Sequence, residues 1–210
     1  MERVTMREIL AILRCKVKDP GKWWPAETRF EILVGAVLTQ NTTWTSVEKA
    51  IANLKGLGLL EPTRLADADP EEIGEAIRTA GYWRVKTAYL LAITEWFLEI
   101  DARATELTDA ELRQSLLEVR GVGEETADDI MLYAYRRPVF IYDAYGRRLL
   151  AAAGWGEFRT YPAARKALDG RIRAEGFTVA ELAELHGLIV QAGKDARAAG
   201  GWDKYWPTSE

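Results

Sequence analysis

Leu116-Leu117-Glu118-Val119-Arg120-Gly121-Val122-Gly123-Glu124-Glu125-Thr126-Ala127 reads as the end of one helix, a tight glycine hairpin and the start of a second helix. Glycine at 121 and 123 allows positive φ at both positions and leaves backbone N–H groups bare at the surface. Those amides lead into a helix beginning near Glu124, where unpaired N–H groups and the macrodipole favour an anion. A DNA phosphate fits such a site, although Glu124 and Glu125 place two acids beside it. Beyond the second helix stands a lone carboxylate, Asp143.

Outward from the hairpin, helix signals recur and strand signals are weak, which predicts an all-α protein. Asp69-Pro70-Glu71-Glu72 supplies an N-cap, a first-turn proline and acids, opening a helix to about Thr79 with Gly81 as its stop. Thr108-Asp109-Ala110-Glu111 is a capping box for a helix whose apolar face uses Leu112, Leu116 and Val119. Thr28–Leu38 is apolar on most sides, which predicts a buried helix, followed by polar Thr39-Gln40-Asn41-Thr42. Further helices are expected at Met6–Val17, Thr45–Leu54, Arg84–Ile100, Glu124–Tyr135, Ala144–Ala153, Tyr161–Glu175 and Thr178–Ala199. The tail from Gly200 to Pro207 should break helix and lay Trp202, Tyr205 and Trp206 on the body.

With 210 residues, 48% hydrophobic and 29% charged, the chain can bury a full core in one or two domains. Cys15 is the single cysteine, which excludes an internal disulfide and a four-cysteine iron–sulfur or zinc site. Its place in a helical run predicts a small buried apolar residue. No apolar run approaches the about 20 residues that span a bilayer, and the start MERVTMRE is no signal peptide, so a cytoplasmic, nucleoid-associated protein is expected. A net charge of −4 weighs mildly against nucleic acid. Its distribution weighs the other way: Arg136, Arg137, Arg147, Arg148, Arg84 and Lys86 lie near the hairpin and Asp143 in sequence or in neighbouring motifs, while acids gather at 61–75 and 181–184.

Four pieces in register resemble the helix-hairpin-helix base-excision DNA glycosylases of the endonuclease III superfamily, over roughly residues 23 to 150. Leu38-Thr39-Gln40-Asn41-Thr42 is similar to the family segment whose glutamine enters the DNA stack. Gly81-Tyr82-Trp83-Arg84-Val85-Lys86-Thr87-Ala88 is similar to its glycine–aromatic–lysine–alanine segment, Gly121–Ala127 to its hairpin, and Asp143 to its catalytic aspartate. The resemblance implies two helical domains with the active-site cleft between them: a six-helix barrel over 27–136 carrying the hairpin, and a second domain from 1–26 plus 137–210 carrying Asp143.

Bifunctional members carry an attacking lysine two positions after the hairpin's second glycine; here that position is Glu125, which cannot form a Schiff base. With the cysteine cluster also missing, the chain resembles the 3-methyladenine DNA glycosylase III branch, through Lys22-Trp23-Trp24-Pro25, Trp44, His186-Gly187-Leu188-Ile189-Val190 and Lys194. The branch implies a base pocket lined by Trp23, Trp24, Pro25, Trp44 and Lys194. Its carbamylated pocket lysine would fall at Leu188. It also implies DNA contacts from Gln40, Lys86, Gly121, Val122, Gly123, Thr126 and Arg147, and no cofactor, with room for a monovalent cation at the hairpin. The partner expected is double-stranded DNA containing damaged bases, handled by a monomer.

The chemistry agrees with these residue types. Breaking a base–sugar bond builds positive charge on the deoxyribose, which a carboxylate stabilises while it orients water. Asp143 also suits the N-cap of a helix starting at Ala144, and the two roles can coexist. Flipping the base costs a few kcal/mol, and Gln40 could fill the gap or simply make local bonds at a helix end. A purine methylated at N3 or N7 is cationic and leaves readily; aromatic faces at Trp23, Trp24 and Trp44 would each add about 0.5–2 kcal/mol. The tryptophans could equally seal a junction, and Lys86 and Arg147 could be solvated surface charges. His186 suits a core or capping role, and of Asp128 and Asp129 one should bond locally while the other faces solvent. Two alternatives stand: an endonuclease III-like glycosylase and lyase for oxidised pyrimidines, and a non-catalytic binder of distorted DNA.

Overall fold

The computed structural model describes residues 4–17 and 23–206, which are all-α with no strand among them. In chain order the helices are α1 (Met6–Lys16), α2 (Arg29–Leu38), α3 (Trp44–Gly56), α4 (Pro62–Asp67), α5 (Pro70–Ala76) and α6 (Trp83–Ile100). They continue with α7 (Asp109–Leu117), α8 (Glu124–Tyr133), α9 (Ala144–Ala152), α10 (Tyr161–Ala174), α11 (Val179–Ala198) and α12 (Trp202–Tyr205). Short 3-10 turns follow α5 and α6, at Arg78–Ala80 and Asp101–Arg103. The chain forms two compact units, Met1–Trp23 with Pro138–Glu210, and Trp24–Arg137. The second is therefore an insertion into the first.

Unit Trp24–Arg137 is built around α2, which packs on α3, α6 and α8. Thr28 caps it, its side chain accepting from Glu31 N, and Phe30 and every residue from Leu33 to Leu38 are buried. The expected start at Asp69 holds, with Oδ1 accepting from Glu71 N, but the α-helix gives way to the 3-10 turn and stops at Gly81, φ 71°. Gly74 lets α6 approach: a Cβ there would stand 2.6 Å from the Trp83 ring. α7 opens on the Thr108–Glu111 capping box. α8 ends two residues sooner than the pattern predicts, with Arg136 left-handed at φ 56° and Arg137 N donating to Met131 O.

In the other unit, α11 is the central helix and packs against α1, α9 and α12, with α10 against α9. α1 is clamped to it by charge: Arg7 bonds Glu181 at 3.0 Å and Arg14 bonds Glu184 at 2.6 Å. Glu181 also closes the Thr178 capping box, and the combined donors pull its carboxyl down to about 2. Two expectations fail here. Cys15 is exposed, because the buried stripe of α1 runs through Met6, Ile9, Leu10 and Leu13. The tail is not helix-free: Trp202–Tyr205 forms a helical turn, with Trp206 buried and Tyr205 O accepting from Lys16 Nζ. Pro207 lies outside the described residues.

Candidate active site and nucleic-acid interface

The hairpin forms between α7 and α8, but only one of its glycines needs positive φ. Gly121 adopts φ 88° and lies on the Tyr89 ring, where a Cβ would come within 2.1 Å of Cγ. Gly123 is extended at φ −90°, because an N-cap residue stands outside the helix it starts. The N–H groups of Gly121, Gly123 and Glu124 find no acceptor among the described residues. Val122 departs from the DNA-contact expectation: its side chain is buried and its N–H donates to Val119 O, so it anchors the hairpin from beneath. Gln40 Nε2 donates to Gly121 O at 2.9 Å and to Thr126 Oγ1 at 3.0 Å, tying the loop after α2 to the hairpin. Val119 O and Gly121 O each accept one protein donor, from Val122 N and Gln40 Nε2.

The acids at the hairpin have structural partners. Arg113 of α7 bonds Asp128 of α8 through Nε at 2.7 Å and Nη2 at 3.2 Å, and Glu124 Oε2 lies 3.8 Å from the same guanidinium. Glu124 is thus turned toward a cation, and both Glu124 and Glu125 suit the positive end of α8. Asp128 and Asp129 are both buried, which corrects the expectation that one would face solvent.

Lys86 is also corrected. It is 2% exposed, and its Nζ donates to Leu38 O and Ala80 O, both at 2.8 Å. Burial lowers its pKa from the ordinary value. Rather than reaching a phosphate, the ammonium staples the end of α2 to the turn before α6. The residue exposed beside it in sequence is Tyr82, left-handed at φ 49° and 73% exposed.

Trp24, also in this unit, adopts φ 56° and stacks on Tyr133 of α8, with centroids 4.8 Å apart and planes at 24°. Trp44, the first residue of α3, tilts against it at 5.5 Å. The structure therefore brings two expected pocket residues together and adds Tyr133, which no motif had marked; exposed Pro25 follows Trp24.

The remaining expected residues belong to the other unit. Buried Val139-Phe140-Ile141-Tyr142 leads into α9, with Tyr142 set between Phe140 at 4.8 Å and Tyr161 at 5.8 Å. This fixes Asp143 at the N-cap, where Oδ1 accepts from Gly146 N at 2.6 Å. Gly146 is required by this turn, since a Cβ would meet Ile141 O at 2.9 Å. Arg147 Nη1 donates to Tyr142 O at 2.6 Å and braces the same turn. Trp23 rests on α11 at Gly187, with the His186 ring edge-on at 5.8 Å and Lys194 Nζ 5.9 Å from its centroid. Lys22 of that motif lies outside the described residues, and Leu188 is buried.

A helical unit carrying a glycine hairpin, joined to one that holds a buried N-cap aspartate, defines the class. The chain belongs to the HhH-GPD superfamily of base excision DNA repair proteins, whose profile matches residues 34–174. It is 45% identical over 137 residues to a Methanocaldococcus jannaschii protein that bears the name of a DNA repair glycosylase. That match covers 63% of this chain and 62% of the relative, less than two thirds of its length. Endonuclease III of Sulfolobus acidocaldarius is 29% identical over 79% of this chain and 72% of its own. Among solved structures, the Helicobacter pylori 3-methyladenine DNA glycosylase bound to 1,N6-ethenoadenine superposes with a TM-score of 0.74 at 28% identity, covering 91% of this chain and 98% of that one. Among the described residues no helix is long and apolar enough to cross a membrane.

Proposed function

We propose that the chain is a monofunctional DNA glycosylase of base excision repair that hydrolyses the N-glycosidic bond of alkylated purines such as 3-methyladenine after base flipping. The observation that carries this reading is the pairing of a held carboxylate with the lack of an amine in the hairpin. Asp143 is fixed through Oδ1 by Gly146 N, and the position after Glu124 is Glu125. The amine of Lys86 is committed to two buried carbonyls.

In this reading the open amides of Gly121, Gly123 and Glu124 receive a DNA phosphate, aided by the α8 dipole. Gln40, at the adjoining loop, enters the duplex once it leaves Gly121 O. Trp24 and Trp44 offer ring faces to a cationic base. Asp143 stabilises the positive sugar and orients the attacking water, whose proton it can accept. The solved relative named as a 3-methyladenine glycosylase and holding 1,N6-ethenoadenine supports a modified purine. The relatives named endonuclease III favour the second reading, a glycosylase and lyase for oxidised pyrimidines, and Glu125 opposes it.

The test is release of radiolabelled bases from methylated genomic DNA, resolved by chromatography, beside a borohydride trap on lesion-containing duplex. Methylated purines should appear and no covalent adduct should form; an adduct with oxidised pyrimidine DNA would establish the second reading instead. Asp143→Asn should slow base release by roughly 100-fold or more while keeping its grip on an abasic-site analogue. Undiminished release would remove Asp143 from the chemistry.

A further inference from the structure

The mechanism leaves one oxygen of Asp143 without an assigned partner. Oδ1 is taken by Gly146 N, and Oδ2 faces Nε2 of His186 across 3.8 Å. Both residues are largely buried, Asp143 at 9% and His186 at 7% exposure. The imidazole is wedged in place. On one side it meets Trp23 edge-on, and that ring is itself seated against Gly187, where a Cβ would come within 2.9 Å of it. α11 can approach α9 this closely because Gly193 leaves room for Tyr145, whose ring a Cβ would approach to 2.3 Å. Gly193 thus lets α11 bring its histidine near the aspartate that caps α9, while Gly187 seats the Trp23 ring beside that histidine.

We propose that His186 is a positioning residue for Asp143, holding Oδ2 in a fixed attitude through its Nε2 edge. A carboxylate pinned at one oxygen still rotates about its own bonds. A ring nitrogen facing the second oxygen at 3.8 Å restricts that freedom and favours one orientation toward the sugar and water, which is how outer groups tune reacting ones. Trp23 then acts at one remove, as the wall that keeps the imidazole from swinging away. This assignment rests on the glycosylase reading of Asp143, and its test is built so that each can fail alone.

His186→Phe keeps the shape and the contact with Trp23 but loses the nitrogen; His186→Gln keeps an N–H of similar reach. Positioning predicts that the phenylalanine variant melts as the wild type does and binds an abasic-site analogue as tightly. Its single-turnover base release should fall by roughly 10- to 100-fold, with the glutamine variant recovering much of the rate. Equal rates for wild type and His186→Phe overturn the proposal, as does a loss tracked by equal losses of melting temperature and binding. A second readout needs no activity. His186 is the only histidine, so histidine labelled with ¹⁵N reports this ring alone, and Asp143→Asn should move its Nε2 resonance. An unmoved resonance overturns the contact even if methylated bases are released, whereas a moved resonance in an enzyme that releases none leaves the contact standing and defeats the function.

Discussion

Replacing Lys86 by methionine decides between two opposed roles for that residue. The side chain is buried, and among the described residues its Nζ is the only donor found for Leu38 O and Ala80 O. Methionine has a similar length and fills the same channel, so the change removes the donor with little loss of volume. A buried acceptor left without its donor costs about 1–3 kcal/mol. Two carbonyls losing an ammonium give about 2–6 kcal/mol, and the apolar replacement offsets part of this, leaving about 3 kcal/mol. For a chain of this size each kcal/mol lowers the melting temperature by roughly 2–4 °C, so the protein should melt about 6–12 °C lower. Calorimetry of both proteins measures this directly. Filter binding to plain duplex across a salt series supplies the second half, because a lost phosphate contact lowers the slope of log affinity against log salt by about 1. A variant that melts with the wild type while its salt slope falls would refute the staple and restore Lys86 to the DNA.

Gly121→Ala forces both a positive φ and a ring clash, since its Cβ would lie 2.1 Å from Tyr89 Cγ; the left-handed backbone costs about 1–2 kcal/mol and the overpacking about 1–3 more. Thermal melts should show that loss, and duplex affinity should fall as the hairpin amides shift. Trp24→Ala removes the ring that links Tyr133 to Trp44, and kinetic assays should find turnover of methylated purines reduced more than binding of undamaged duplex; equal losses would deny the pocket role. Glu181 has a carboxyl depressed to about 2 from an ordinary 4.5. The folded state therefore prefers the ionised form, and the stabilisation is present above about pH 4.5 and lost as pH falls toward 2. Glu181→Gln should flatten the fall of melting temperature across that window; a slope equal to the wild type's would show that Glu181 does not contribute.

Local chemistry was legible and convergence was not. Caps at Thr28, Asp69, Thr108 and Thr178 declare helix starts within four residues, because donor and acceptor are neighbours in sequence. α4 escaped because its cap is Glu61, a residue that seldom announces a helix. Lys86 was misread because its burial depends on carbonyls 48 and 6 positions away meeting at one amine. The same holds for the site. The hairpin and Asp143 are contiguous motifs, while the contact of His186 with Asp143 and the stack of Tyr133 on Trp24 exist only once helices pack. Gly187 and Gly193 were the available hints, since glycine inside a long helix marks a close approach.

Because Trp24–Arg137 is inserted into the other unit, the two finish at different moments of synthesis. The inserted unit has its whole sequence once Arg137 clears the ribosome. The N-terminal helix, by contrast, waits for a partner 170 residues downstream, as the Arg14–Glu184 bond shows. At about 5–20 residues per second that delay is on the order of 10–30 s. A nascent chain therefore carries its glycine loop before the unit that holds Asp143 has all its helices.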